Sequence, residues 1–487
     1  MPLFQNKYLH WFLIALASLL VGAINFRSGI GADSDNMLVL HNFRTSGEGF
    51  VPSRSWGDPL YEAAAKAIYV PLFLRRHHEF DAIYAVQAYN VLWLCISAFC
   101  MYACARVLNG GNRLKGLWAG VAFLAFPVIV TNANVVMETM QGLGLALLAI
   151  VFFLRFNYSS ERKFSFFLMA LFAGLATSTR PDYVLLAAAL FLACLSPIIK
   201  TRKMPEPGIL IFIAASLLYL LTAVVPYLFY PGNTALAQDV LWANNALGRN
   251  FIRAIMGLAA LLGLPVCLFL ACLSALNFKR FFSHAANELQ KPTWLLSLLC
   301  AAFFVPRYLL LPDELEYIII FVPLLILLLG TYLKPAIFGV FIICAAIPLF
   351  VQVHLLRMEM FTYVPEIGIS PGAIAQDSYM RQRDLFTTEG IRLQNLDKKV
   401  KAMGCKNSWV NLYALDVPGL ECIIIPQSQL NFISSERGLF PNIKHTDKRI
   451  LWYPFFNYDK SWRTFVKLEQ PDYINPPVYE LDLNTIP

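Results

Sequence analysis

The sequence predicts an α-helical polytopic membrane protein of about 11 transmembrane helices, followed by a small polar C-terminal α/β domain outside the bilayer. Three observations predict it. Of 487 residues, 58% are hydrophobic and 14% charged, where an ordinary soluble domain has about 25% charged residues. The apolar residues fall in runs of about 17 to 25, the length that crosses a hydrocarbon core of about 30 Å. The charge is also uneven: the formal net charge is +8, yet from Arg357 onward 15 Lys/Arg face 15 Asp/Glu, so the excess belongs to the apolar part. A neutral tail of this kind is not the basic folded surface that nucleic acid requires, and no nucleic-acid partner is expected.

The first apolar run, 8–26, follows a single Lys7 and has no small-residue cleavage site after it, so it reads as an uncleaved anchor. Further spans are expected near 84–106, 116–133, 138–154, 164–180, 182–198, 208–229, 254–276, 293–311, 317–333 and 335–355. Arg180-Pro181-Asp182 is the polar break between the fifth and sixth. Within the polar loop 27–80, the stretch Tyr61 to Leu74 is apolar but too short to span, and is expected to lie in the interface with Arg75, Arg76, His77 and His78 at headgroup level. Residues 1–355, with that loop, form the membrane domain, and 356–487 a soluble domain of short strands punctuated by Gly, Pro and Asn.

Lys and Arg orient the spans. Alternate loops contain Lys7; Arg106, Arg113 and Lys115; Arg155, Arg162 and Lys163; Lys200, Arg202 and Lys203; Lys279, Arg280 and Lys291; and Lys334. The intervening loops contain few. The positive-inside rule therefore places the N-terminus in the cytoplasm, with the loop 27–80 and the tail on the opposite side. Eight of ten cysteines lie in apolar runs and read as small buried hydrophobes. Cys405 and Cys422 stand alone in the tail, where an oxidising compartment would allow one disulfide. No CxxC or HExxH pattern occurs, so a structural zinc site is not expected.

The polar residues gather at the outer face. They are Asp33, Asp35, Glu48, Arg54, Asp58 and Glu62 in the first loop, then Glu138, Arg180 with Asp182, Arg249 and Arg253, and Arg307, Asp313, Glu314 and Glu316. Ionisable groups at a bilayer are costly, so such a gathering points to function. Carboxylates can take a proton from a hydroxyl or hold a divalent cation. Arginines suit a phosphate through planar paired hydrogen bonds. Both together at the lipid boundary suit a lipid-linked phosphosugar.

GADSDNMLVLHNF after the first span, then SRSWGDPLYE, GLATSTRPDYVLL and LPDELEYIIIFVPLL, resemble the GT-C glycosyltransferases that use polyprenyl-phosphate sugars. The resemblance covers roughly residues 8–330. It implies transfer of a sugar from a polyprenyl-phosphate donor to an extracytoplasmic glycan, lipid or protein acceptor. It makes Asp33 the first candidate for catalytic base and Asp35 the second; their spacing departs from the Asp-Glu doublet commonest in that superfamily, so the choice between the two stays open. Asp33 and Asp35 are also the carboxylates that would hold a divalent cation, and metal dependence stays open. Arg54, Glu62, Glu138, Arg180, Asp182, Arg249, Arg307, Glu314 and Glu316 are the candidate substrate-binding residues.

Plainer readings stand beside these. Asp33 and Asp35 suit loop acids or a helix N-cap, Arg180 an anchor reaching to headgroups with Asp182 as its ion-pair partner, and Arg54 and Glu62 a loop salt bridge. Glu138 suits the N-terminus of its helix. A transporter or lipid flippase is the alternative function, but such proteins place charges within spans near the midplane, and the interiors here are nearly free of them. A membrane scaffold with a partner-binding tail is a third. Asn157-Tyr158-Ser159, the one glycosylation sequon, falls in a cytoplasmic loop, which favours a bacterial inner membrane over the endoplasmic reticulum.

Overall fold

The computed structural model describes residues 7–25, 39, 43, 58–75, 79–133, 136–158, 162–201, 209–228, 254–255, 257–258, 261–288, 291–310, 315–359, 362–371, 395–396, 398–409, 419–426, 446–453, 475 and 477–481. The chain divides into two compact units: Met1–Phe26 with Pro52–Gln352 and Pro371–Ala375, and Arg27–Val51 with Val353–Ser370 and Gln376–Pro487.

The first unit is helical. Its helices are α1 (Lys7–Asn25), α2 (Pro59–Leu74), α3 (Glu79–Leu108), α4 (Arg113–Leu124), α5 (Pro127–Asn132), α6 (Thr139–Tyr158), α7 (Arg162–Thr179), α8 (Tyr183–Thr201), α9 (Ile209–Leu228), α10 (Leu264–Glu288), α11 (Pro292–Leu310), α12 (Phe321–Tyr332) and α13 (Pro335–Phe350). Among the described residues, three stretches are long and apolar enough to cross a membrane, Tyr84–Leu108, Thr139–Tyr158 and Pro292–Leu309. Six shorter apolar helices join them, including Tyr8–Ala23, Leu210–Pro226 and Pro335–Phe350.

Helix α6 is the centre of the unit. It packs against α3 and α7, and Met140, Leu143, Leu147, Ile150, Phe153 and Leu154 along it are completely buried. The outer helices behave differently. Leu210, Leu217, Leu221 and Leu228 of α9 are all more than half exposed. Leucines turned outward in this number would draw copies together in water, whereas lipid covers them at no such penalty. Many apolar helices with apolar outer faces make this a multi-pass membrane protein.

Several boundaries differ from the sequence reading, each for a backbone reason. The run expected at 116–133 is split, because Phe126 is extended (φ −81°, ψ 126°) and Pro127 opens α5. Pro fits the first turn of a helix, where its missing N–H has no partner to lose, but not the middle of one. The run expected at 254–276 is interrupted at Gly263: the described residues 254–255, 257–258 and 261–262 are helical before it, and α10, Leu264–Glu288, follows. Gly263 just before it sits at φ +81°, a conformation that side chains disfavour, and a methyl there would come within 2.8 Å of Pro348 Cγ on α13. The last run ends as helix at Phe350, short of 355, and the chain continues as strand β1 (Val351–Glu359). The stretch Tyr61 to Leu74 is helical within α2, and Tyr61, Ala65 and Tyr69 on one stripe are buried at the spacing that aligns residues on one helix face.

The described residues of the second unit are mostly strand. β1 pairs with β2 (Thr362–Pro371), and a four-stranded sheet runs in the order β3 (Ser408–Trp409), β4 (Cys422–Pro426), β5 (Arg449–Tyr453) and β6 (Tyr479–Glu480). β3, β4 and β5 are parallel, and β6 is antiparallel to β5. Side chains alternate across a sheet, so Cys422 and Ile424 of β4 join Leu451 and Tyr453 of β5 in one core, against Leu396 and Val400. Arg449 grips the sheet edge: Nε and Nη2 each donate to Glu480 at 2.8 Å, and Nη1 donates to the Met403 carbonyl at 2.9 Å. The Arg449 hydrogen bond holds the Glu480 carboxyl below its ordinary range. That contribution is complete above the ordinary carboxylate pKa and fades as pH falls through the lowered one.

Cys405 and Cys422 are disulfide-bonded, their Cα atoms 5.9 Å apart, within the usual bridging range. The bond ties the turn after Val400 to the start of β4. With a sequence separation of 17, closing the loop stabilises the unit by about 3 kcal/mol. Alkylation of the purified chain with a maleimide should therefore leave Cys405 and Cys422 unmodified until a reductant is added, with the tail becoming protease-sensitive at the same point. Labelling of both cysteines without reductant would contradict the pairing.

Candidate functional site

The Thr179-Arg180-Pro181-Asp182 turn builds the site. Proline disfavours helical backbone in the residue before it, so α7 ends at Thr179 and α8 begins at Tyr183. Tyr183 N–H donates to the Arg180 carbonyl at 3.1 Å, and Leu185 N–H to the Asp182 carbonyl at 3.0 Å. The side chains of Arg180 and Asp182 thus emerge together at the tight joint between two helices.

Arg180 is 2% exposed, so it does not reach out to headgroups. A buried guanidinium is tolerated only when paired. Its Nη1 is 3.6 Å from Glu138 Oε1 and its Nε 3.5 Å from Asp182 Oδ2, while Nη1 also donates to Thr139 Oγ1 at 3.4 Å. Glu138 stands immediately before α6, where a carboxylate is favoured by the helix dipole, and its backbone carbonyl accepts from Gly142 N–H at 2.8 Å. Gly142 allows the approach: a methyl there would lie 2.7 Å from Tyr183 Cε2 and 3.7 Å from Arg180 Cβ.

Arg307, in the last turn of α11, joins from the other side. Its Nε donates to Asp182 Oδ1 at 3.2 Å, so Asp182 bridges both arginines. Tyr317, in the short 3₁₀ helix Leu315–Ile318, has both guanidiniums near its ring. Arg180 stands 5.2 Å and Arg307 4.5 Å from its ring centre, and Arg307 Nη2 donates to its hydroxyl at 3.3 Å. Cation–π contacts of this kind strengthen away from water. The two arginines differ in access, since the Arg307 side chain is 29% exposed and Arg180 is sealed. A group arriving from outside meets Arg307.

A polar network extends the cluster toward α2 and α3. Asn90 Nδ2 donates to Tyr61 Oη and to the Met137 carbonyl, both at 3.4 Å. Tyr89 Oη donates to Gln141 Oε1 at 2.8 Å, and Gln141 Nε2 to Thr179 Oγ1 at 3.4 Å. Burial, followed by the nearby Glu138 and Asp58 carboxylates, pushes the Tyr61 phenol well above its ordinary range against the lowering effect of the Asn90 hydrogen bond. It stays protonated at neutral pH. Asp58 and Glu62, at the start of α2, are both buried.

Of the residues singled out from sequence, Glu138, Arg180, Asp182 and Arg307 thus form one connected cluster, and Glu62 is buried on α2. Asp33, Asp35, Arg54, Arg249 and Glu314 lie outside the described residues, and of Glu316 only its backbone, in the 3₁₀ helix, is described. Among the described residues, no three His, Cys, Asp or Glu side chains are grouped to hold a metal ion. Tyr317, Thr139, Asn90 and Gln141 were missed. Asn90 and Gln141 are polar residues in otherwise apolar helices, and that oddity was the available signal.

No protein-family model matches the chain, and no curated protein matches it. Among solved structures, it is similar to ArnT from Cupriavidus metallidurans bound to undecaprenyl phosphate, with 15% identity and a TM-score of 0.48 over 81% of this chain and 72% of that one. A likeness this loose says nothing of what this chain binds.

The two arginines should separate in stability. Arg180→Ala leaves Glu138 buried without its cation and should cost about 3–5 kcal/mol, whereas Arg307→Ala, at a partly exposed pair, should cost under about 1 kcal/mol. Thermal melting of both variants in one detergent checks this; a larger loss for Arg307→Ala would overturn the assignment of Arg180 as the buried keystone.

Proposed function

We propose that the chain is an integral-membrane glycosyltransferase that moves a hexosyl or pentosyl group from a polyprenyl-phosphate donor to an acceptor outside the cytoplasm. The observation behind this reading is the Arg180–Asp182–Arg307–Tyr317 cluster, where one guanidinium is sealed and the other accessible at the same helix ends. The donor's phosphate is held by Arg307, which exchanges part of its contact with Asp182 for the incoming oxyanion. Arg180, locked between Glu138 and Asp182, keeps Tyr317 and Asp182 in place and adds positive potential from behind.

In the reaction, the carboxylate of Asp33 or Asp35 takes the proton of the acceptor hydroxyl. The hydroxyl oxygen attacks the anomeric carbon, the bond from that carbon to the phosphate oxygen breaks, and polyprenyl phosphate leaves with the electron pair. Arg307 stabilises the negative charge that grows on the leaving phosphate. Arg54, Arg249, Glu62, Glu314 and Glu316 stand as further binding residues, and any divalent cation would bind at Asp33 and Asp35.

Two observations support the orientation, with the N-terminus cytoplasmic in a bacterial inner membrane. Lys and Arg crowd the loops at the ends of the helices away from the cluster. The Cys405–Cys422 disulfide suits a tail in an oxidising periplasm, where residues 356–487 would meet the acceptor. Transport is less well supported, because Glu138 and Arg180 sit at helix ends rather than within spans.

Sugar transfer from a synthetic polyprenyl-phosphate donor, assayed with extracts of the protein's own cell envelope as acceptor, tests the reading. Asp33→Asn or Asp35→Asn should lower transfer by a factor of about 100 or more, and Arg307→Ala by a comparable factor, with membrane insertion unchanged. If both Asn variants transfer at the wild-type rate, the proposal fails.

A further inference from the structure

A cavity of about 550 Å³ lies at the opposite end of the helices from the arginine cluster. Helix α6 measures the separation: Glu138 precedes its first residue and Arg155 lies in its last turn. At a rise of about 1.5 Å per residue, that is about 25 Å, close to one hydrocarbon thickness. The cavity is lined by Trp11 of α1, Phe99, Tyr102, Arg106 and Val107 of α3, and Arg155 of α6, and, among the described residues, by no acidic one. It is therefore in a different place from the proposed reaction and of a different chemistry.

Some of its polar atoms have no hydrogen-bond partner among the described residues. Tyr102 is 3% exposed, and neither its hydroxyl nor the buried Nε of Arg106 takes a hydrogen bond among the described residues. Arg106 stands over the Tyr102 ring at 5.8 Å, and Arg155 over the Phe152 ring at 5.4 Å. Neither arginine makes an ion pair among the described residues. Two cations and a phenol hydroxyl around an otherwise apolar and aromatic hollow match a phosphate joined to a hydrocarbon. The volume lies in the range of about 300–1,000 Å³ typical of ligand sites.

The surroundings identify which phosphate. Tyr8, Trp11, Trp118 and Tyr158 are exposed at these same helix ends, the aromatic belt that marks a membrane interface. Lys7, Arg113, Lys115, Arg162 and Lys163 follow just beyond. A belt of aromatics and a rim of cations place the opening at lipid headgroups, where anionic lipid is drawn to basic side chains.

We propose that this cavity binds one anionic phospholipid from the leaflet on that side. Its headgroup phosphate rests on Arg106, Arg155 and the Tyr102 hydroxyl, and an acyl chain lies along Trp11, Phe99 and Val107. The lipid joins α1, α3 and α6 at the ends remote from the arginine cluster.

Native mass spectrometry of the purified full-length chain, titrated with phosphatidylglycerol or with phosphatidylcholine, tests this. Phosphatidylglycerol should be retained as a single adduct and phosphatidylcholine should not. The double variant Arg106→Gln/Arg155→Gln should bind phosphatidylglycerol about thirtyfold more weakly, as expected for two cations lost beside a headgroup. Ala103→Phe, which fills the cavity wall without changing charge, should abolish the adduct in a chain that still elutes as wild type. Tyr102→Phe should weaken it several-fold and provides a test should the bulkier variants fail to fold. Equal retention of the two lipids, undiminished binding in Ala103→Phe or Tyr102→Phe, or displacement of the lipid by inorganic phosphate at similar concentration would each overturn the proposal.

Discussion

One buried positive charge organises one end of the helical unit. Arg180 is almost without solvent, and a charge in that position is sustained only by close partners of opposite sign. The partners come from separate elements: Glu138 precedes α6, and Asp182 follows the proline that ends α7. Asp182 then reaches Arg307 on α11, and Tyr317 closes the group with both guanidiniums near its ring. The helices cannot shift independently at this end without stranding a charge. Gly142 is part of the same constraint, because a side chain there would drive Tyr183 off the turn that presents Arg180. The arrangement leaves Arg307 as the accessible cation, which is the property the proposed chemistry draws on.

Much of this was legible because lipid imposes a simple rule on sequence. Long apolar runs must be helices when no water is present to satisfy the backbone, and helices do stand at 7–25, 79–108, 139–158, 162–179 and 183–201. The polar break Arg180-Pro181-Asp182 separated α7 from α8 for a reason that proline makes explicit. The ion pair expected between Arg180 and Asp182 is present, but the reading of Arg180 as an anchor at the headgroups is corrected by its burial. Pairing with Glu138, more than 40 residues away in sequence, is a tertiary event that no local pattern announces.

The omissions are equally physical. Tyr317 sits in a stretch noticed for its acids, Asp313, Glu314 and Glu316, while the aromatic among them is what touches both arginines. A hydropathy window also smooths over single residues. It therefore missed Pro127, which divides the third run, and Gly263, whose positive φ breaks the run just before α10. Asn90 and Gln141 were likewise averaged into their apolar neighbours, though they link Tyr61, Tyr89 and Thr179 around the cluster. At the other end of α6, beside α1 and α3, is a cavity lined by two arginines and, among the described residues, no acid. Acid and arginine interlock before α6, whereas at its far end arginine stands without acid among the described residues, so the two ends differ in electrostatic character.

The central claim is that Arg307, backed by the Arg180 cluster, holds the phosphate of a polyprenyl donor. The most direct measurement is an experimental structure of the full chain with polyprenyl phosphate bound. The phosphate should lie within hydrogen-bonding distance of Arg307, with the carboxylate of Asp33 or Asp35 facing the sugar side. A phosphate bound elsewhere, with Arg307 still paired to Asp182, would contradict it.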